Sequence, residues 1–268
     1  MSEVNVYKPS WKNVNKYGIY FHYFFEYLKY GDLKSLRASL KYVLTHKLPL
    51  VDYNTKSGMG EFLIRKNTTD FQFINYAYEK SIKKYLEHNI DTFDIFLDIG
   101  ACIGEYSIWL ANKGKFCVAV EPVNWEALSN NVRLNSLEEK IKIFPCGVGE
   151  KKEKVYFNIP YGVTSSSRLS RSSTNEPNVD IDLLDNIMDT VNLSPNARII
   201  MKIDVEGMEP EAIRGATKFL TACENIRVIY EHFPEDDYRN DKCLLAICNF
   251  KIRNLDSVNR IATKVYAK

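Results

Sequence analysis

Beyond residue 90, short apolar runs alternate with amphipathic stretches, and few folds accept that order. Phe93–Asp98 reads as a strand apolar along its length, Glu105–Lys113 as a helix, Phe116–Glu121 as the next strand, Asn124–Asn135 as a helix and Ile141–Cys146 as a strand. Strands of this kind need cover on both faces, and strands joined through helices run parallel. A doubly wound α/β domain over 91–268 is therefore expected. The pattern continues with a strand at Val155–Ile159, a Ser-rich loop at 160–178 and a short helix near Leu183–Val191. Then come a strand at Arg198–Asp204, a helix at Pro210–Leu220 with proline in its first turn, a strand at Ile226–Glu231 and a helix at Asp241–Cys248. Phe250–Leu255 and Ile261–Tyr266 lie close enough to form an antiparallel pair.

Residues 1–90 differ, and read as a mainly helical extension serving substrate binding or assembly. Tyr20–Tyr30 is crowded with aromatic residues, whose spacing predicts a helix buried on more than one side. Gly31-Asp32 breaks it and supplies an N-cap. Leu33–Leu44 is helical in spacing, and Pro49 closes that stretch. Glu61–Arg65 reads as a short strand and Phe71–Leu86 as a helix.

Composition removes several classes. With 45% hydrophobic and 26% charged residues, the 268-residue chain has the balance of a folded protein. A net charge of +2 makes no basic field, so a nucleic-acid partner is not expected. No run of about 18 apolar residues is present, so neither a membrane span nor a membrane partner is expected. The first residues lack a signal-peptide layout. Six scattered cysteines without a CxxC pair give no structural zinc site, and residence in the cytoplasm is the expectation. Homo-oligomers are left open.

The chemistry concentrates at Asp98-Ile99-Gly100-Ala101-Cys102-Ile103-Gly104, between an apolar strand and a helix. Gly100 permits a tight turn and close approach of a ligand, and Gly104 permits close packing at the helix start. Glu121, at the end of the next strand, is placed to accept hydrogen bonds from the ribose hydroxyls of an adenosine. A dinucleotide turn would carry a middle glycine where Cys102 stands, and Asp98 suits a cationic ligand better than a pyrophosphate. Both points favour S-adenosylmethionine over NAD as cofactor. Pro122 follows the ribose acid. Around Cys146 and Gly147, backbone N–H groups either read an adenine edge or simply make a turn. Trp125 either covers the adenine or packs in the core.

Together with Asn130–Asn135, Leu184-Asp185, Lys202-Ile-Asp-Val-Glu-Gly207, Glu209, Gly215-Ala216 and Glu231-His232, these segments resemble the FkbM-type methyltransferases from about Glu61 to His232. The resemblance implies a Rossmann-like, seven-stranded class I methyltransferase sheet. It also implies methyl transfer to a hydroxyl on a sugar or natural product. One departure is Cys102, where the family commonly has Asn.

Asp204 and Glu206 share one face if the fourth strand continues that far. A hydroxyl acceptor must lose a proton as the new bond forms, and Asp204, Glu206 and His232 are the candidate catalytic groups. His232 reads equally as a structural side chain, and Asp204 as a helix cap. Ser166, Arg168, Glu209 and Glu231 are assigned to the acceptor, a small molecule or glycan, with Arg171 as a second candidate for an anionic group. Asp185, Asp204, Glu206 and Glu209 offer oxygens to Mg²⁺, but solvated or hydrogen-bonded carboxylates are the favoured reading, so no metal is assigned. An RNA methyltransferase and, further off, a NAD-dependent oxidoreductase are the alternatives.

Overall fold

Residues 9–158, 168–170, 178–194, 196–232 and 237–265 are described by a computed structural model of the chain. They fall into two units, one up to Lys80 and one from Ser81 onward.

The first unit contains α1 (Tyr17–Lys29), α2 (Leu33–Thr45), the antiparallel hairpin β1 (Tyr53–Ser57) and β2 (Gly60–Ile64), and α3 (Asp70–Phe73). Asp32 caps α2 by accepting from the Ser35 N–H at 3.0 Å. The aromatic helix departs from expectation, because in α1 only Tyr27 is buried, its hydroxyl donating to the Phe71 carbonyl at 2.6 Å. Aromatic composition predicts a buried helix, but burial also needs a neighbour on each face, and α1 has one inward stripe. Likewise α2 turns Ser35, Ser39, Tyr42 and Val43 inward, while Leu33, Leu40 and Leu44 face outward.

The helix expected at Phe71–Leu86 is broken. After α3 the Asn75 side chain accepts from the Ala77 N–H at 2.9 Å and donates to the Tyr23 carbonyl at 3.0 Å. Such a side chain competes with the helical ladder. Helix α4 (Lys80–His88) begins only after Glu79, which has φ 47°.

The second unit then runs β3 (Ile95–Ile99), α5 (Glu105–Asn112), β4 (Phe116–Val120), α6 (Trp125–Leu134), β5 (Ile141–Phe144), β6 (Gly147–Val148), β7 (Glu153–Asn158), β8 (Arg168–Ser170) and β9 (Val179–Asp182). It continues with α7 (Leu184–Asp189), β10 (Arg198–Ile203), α8 (Glu209–Arg214), α9 (Thr217–Ala222), β11 (Asn225–Glu231), α10 (Arg239–Ile247), β12 (Phe250–Asn254) and β13 (Asn259–Lys264). The main sheet has seven strands in the order β12-β13-β11-β10-β3-β4-β5. Strands β11, β10, β3, β4 and β5 run parallel, and β13 is antiparallel to both β11 and β12. This is the Rossmann-like, seven-stranded class I methyltransferase sheet. Leu97, Ile99, Val118, Val120, Met201, Ile203 and Val228 are buried in it, which is why their strands read as unbroken apolar runs.

From β3 the chain winds outward through β4 and β5, then returns to β10 on the other side of β3. The carboxyl ends of β3 and β10 thus flank the switch point where such sheets bind ligands.

Two expectations need correction. The Ser-rich segment 160–178 contains β8, which pairs with β7 in a second sheet ordered β6-β9-β7-β8. A three-residue strand leaves no periodicity to read. The helix expected at Pro210–Leu220 is two helices, broken at Gly215, where an added Cβ would stand 2.0 Å from the Gly149 carbonyl oxygen. Close approach of two backbones set that break. Among the described residues, no helix is long and apolar enough to cross a membrane.

Candidate functional site

The loop after β3 is shaped by left-handed residues: Gly100 at φ 88°, Cys102 at 48° and Gly104 at 89°. The N–H groups of Gly100 and Ala101 both donate to the Val120 carbonyl, at 2.9 and 3.1 Å. A Cβ on Gly100 would lie 1.9 Å from the Asp204 carbonyl oxygen, so the bend is pressed against the loop after β10. Gly104 faces Leu128 of α6, whose Cδ1 an added Cβ would meet at 2.2 Å. Cys102 pays about 1 kcal/mol for its backbone conformation, which Asn tolerates better.

Glu121 is 6% exposed and already engaged. One carboxylate oxygen accepts from Val123 and Asn124 N–H, both at 2.8 Å, and the other from Cys102 N–H at 2.9 Å. A carboxylate has about four acceptor positions, so one remains, on the oxygen shared with the glycine turn. Burial pushes its pKa up, against the pull of the three N–H groups. Pro122 beside it is half-buried.

Beneath the turn lies a group of buried charges. Asp98 is in register with Lys202 of β10 and accepts from the Ser107 hydroxyl at 2.6 Å. Lys202 donates to Asp204 at 2.6 Å. The ammonium groups of Lys83 and Lys202 lie 5.2 and 5.1 Å from the centre of the Tyr106 ring. Glu105, the first residue of α5, is buried, and its Oε2 has no hydrogen-bond partner. Burial and the nearby Asp98 push the Glu105 pKa up to about 8. Burial likewise lifts Asp98 to about 6, although Lys202 and Ser107 oppose it. Three carboxyls (Asp98, Glu105, Asp204) face two lysines (Lys83, Lys202), so the fully ionised group is one negative charge in excess. With Glu105 protonated, as its raised pKa favours at neutral pH, the remaining charges balance.

Glu105 was not read from the sequence. An acid at a helix start ordinarily complements the helix dipole, and that explanation hides any other role. Lys83 gave no signal either, since its α4 looks like an ordinary charged helix.

At the carboxyl edge, the Asp204 N–H donates to the Ile99 carbonyl at 2.9 Å, and its side chain is 25% exposed. Glu206 and Gly207 take φ 53° and 98°. Glu209 holds this loop, accepting from Gly207 N–H at 3.0 Å and Val205 N–H at 3.2 Å, with Arg239 at 3.9 Å from its other oxygen. Its carboxylate is thus committed within the protein. Beyond the Ile203–Tyr230 pairing, Asp204 and Glu231 lead off adjacent strand ends, with His232 one residue further. The His232 ring stacks on Tyr238 at 4.6 Å, and the backbone N–H of His232 donates to the Val258 carbonyl.

The remaining candidates are distributed differently. Burial pushes the Cys146 thiol up to about 11, which keeps it protonated at neutral pH. Gly147 packs against Ile181, whose Cδ1 an added Cβ would meet at 2.5 Å. Trp125 is 38% exposed at the start of α6. Arg168 is placed by its backbone, opposite Asn158, while Ser166 and Arg171 lie outside the described residues. Asp185 accepts from Lys218 and Phe219 N–H at 3.1 and 2.8 Å, which caps α9. A cavity of about 320 Å³ bounded by Asp185, Met188, Phe219 and Cys223 opens at the amino edge of the sheet, opposite the glycine turn.

A family model described as the methyltransferase FkbM domain matches residues 98–252, more than half of the chain. Among solved structures, the chain is similar to methyltransferase FkbM from Methylobacillus flagellatus KT, with 18% identity over 74% of this chain and a TM-score of 0.46. The match spans 56% of that protein's length. It is also similar to magnesium protoporphyrin IX methyltransferase from Synechocystis PCC 6803 with bound SAM (11% identity, 74% of this chain, 84% of that chain, TM-score 0.44). A third is the Pyrococcus abyssi tRNA (uracil-54, C5)-methyltransferase in complex with S-adenosyl-L-homocysteine (12% identity, 80% of this chain, 44% of that chain, TM-score 0.43). No curated protein matches the chain.

Proposed function

The chain belongs to the FkbM methyltransferase family, and from that premise we propose that it transfers a methyl group from S-adenosylmethionine to a hydroxyl oxygen of a sugar or natural product. The observation that carries the reading is the glycine bend set between two buried acids of different availability. Glu121 keeps one acceptor position for a ribose hydroxyl. Glu105 keeps an unpartnered carboxyl oxygen, in a charge group with room for one more cation once Glu105 ionises. A molecule with a diol at one end and an ammonium at the other fits this pair, and a pyrophosphate does not.

S-adenosylmethionine supplies a methyl group already activated on a sulfonium. The protein's remaining tasks are alignment of the acceptor and removal of its proton. Asp204 stands at the strand end next to the bend, with Oδ2 held by Lys202, so Oδ1 is available to take the hydroxyl proton. Glu206 and His232 border the same edge and are the other proton acceptors within the proposal.

Calorimetry with S-adenosylhomocysteine tests the cofactor. Binding is expected, and Glu121→Ala is expected to weaken it at least about tenfold through loss of the ribose contact. Unchanged affinity would remove Glu121 from that role. Asp204→Asn is expected to lower turnover by about a hundredfold or more while sparing cofactor affinity. Normal turnover would exclude Asp204 as the base. With a labelled methyl donor, label recovered on nitrogen or carbon of the acceptor would overturn O-methylation.

A further inference from the structure

In the first unit α1 and α2 each present a stripe of apolar side chains outward. On α1, Phe21, Phe25 and Leu28 are 68%, 56% and 55% exposed. Their spacing of four and three residues puts them on one stripe of the helix, and the two phenyl rings stack at 6.4 Å. On α2, Leu33, Leu40 and Leu44 are 63%, 40% and 59% exposed, again at helical spacing, while the serines face inward. Apolar surface on this scale marks a contact site.

The charges around it say what it contacts. Between Trp11 and Lys47 the chain carries six lysines and Arg37 against two acids. Both acids are shielded: Asp32 is 3% exposed and caps α2, and the Glu26 side chain is 14% exposed. What the two helices show to solvent is therefore apolar and cationic. We propose that α1 and α2 dock this unit onto an anionic lipid surface, with the Phe21–Leu28 and Leu33–Leu44 stripes entering the headgroup boundary and the lysines facing the phosphates.

An interfacial helix has this composition, with aromatic and leucine side chains on one face and lysine around it. A second copy of the chain is the poorer occupant. A twofold contact brings the same patch against itself, which would oppose two cationic surfaces. The expectation of no membrane partner rested on the lack of a spanning segment, and a helix that lies on a bilayer needs none.

Flotation of the full-length protein with phosphatidylcholine vesicles containing about 30% phosphatidylserine tests the proposal. Binding is expected there, at least about tenfold weaker on pure phosphatidylcholine and reduced by high salt. The double variant Phe21→Ser, Phe25→Ser and, separately, Lys34→Glu, Lys41→Glu should each lower binding at least about tenfold. Both pairs are exposed, and unchanged circular dichroism and S-adenosylhomocysteine affinity would verify the fold. The proposal is overturned if the wild-type protein does not float with anionic vesicles. It is equally overturned if the protein is a dimer in solution that the phenylalanine substitutions dissociate.

Discussion

Gly100→Ala is expected to destabilise the protein by about 3–5 kcal/mol, from a left-handed alanine and a forced backbone shift together. The added Cβ would stand 1.9 Å from the Asp204 carbonyl oxygen and 2.9 Å from its carbon. That carbonyl cannot easily retreat, because Asp204 is tied to Ile99 through its N–H and to Lys202 through its side chain. The alternative is for the turn to move, which breaks the Gly100 and Ala101 bonds to Val120. For a unit of this size, a fall in Tm of about 10 °C follows, measurable by circular dichroism. Gly114→Ala is the control: its φ is 87°, but nothing lies within 4 Å of the added Cβ. It should show only the conformational cost, about 1 kcal/mol. Equal losses at the two positions would mean that the contact with Asp204 does not constrain the turn.

Glu105→Gln should alter both the pH dependence of stability and cofactor affinity. Burial and Asp98 raise the Glu105 pKa from 4.5 to about 8 in the folded protein. Between those values the folded state holds a proton that the unfolded chain has released. The stability associated with that proton is full below pH 4.5 and is lost as the pH rises through 8. Wild-type Tm should therefore decline from pH 5 to pH 9, and the neutral glutamine should flatten the decline. A ligand ammonium beside Glu105 would reverse the balance and favour the carboxylate, so binding of S-adenosylhomocysteine near pH 7 should release a proton. Calorimetry in two buffers of different ionisation enthalpy would detect it. Glu105→Gln should abolish the release and weaken binding about 10- to 100-fold, the strength of a charge-assisted hydrogen bond. Persistent proton release in the variant would assign it to another group, Asp98 being the nearest.

The two experiments probe different parts of one site. The first measures how tightly the strand-end loops are packed against each other. The second measures how the charges beneath them answer a cation. The vesicle experiment is independent of both, since α1 and α2 contain none of these residues.

The parallel sheet was legible because strands covered on both faces must be apolar along their length, and Ile95–Ile99, Phe116–Val120 and Arg198–Ile203 carry that mark locally. The glycine bend and Glu121 were legible for a related reason: a left-handed turn and a buried acid at a strand end are costly choices that stand out in a sequence. What a residue meets across the fold left no such mark. Leu33, Leu40 and Leu44 of α2 have core spacing yet face outward, because the side that found a neighbour was the one bearing Ser35, Ser39, Tyr42 and Val43. Glu105 looks like an ordinary acid opening a helix. Only the tertiary structure, by withdrawing water from it and placing Asp98 nearby, left its oxygen without a partner. Periodicity and turn chemistry act over a few residues and are written in the chain. Burial, and the charge balance that burial creates, depend on segments a hundred residues apart and come into being only when the sheet closes them together.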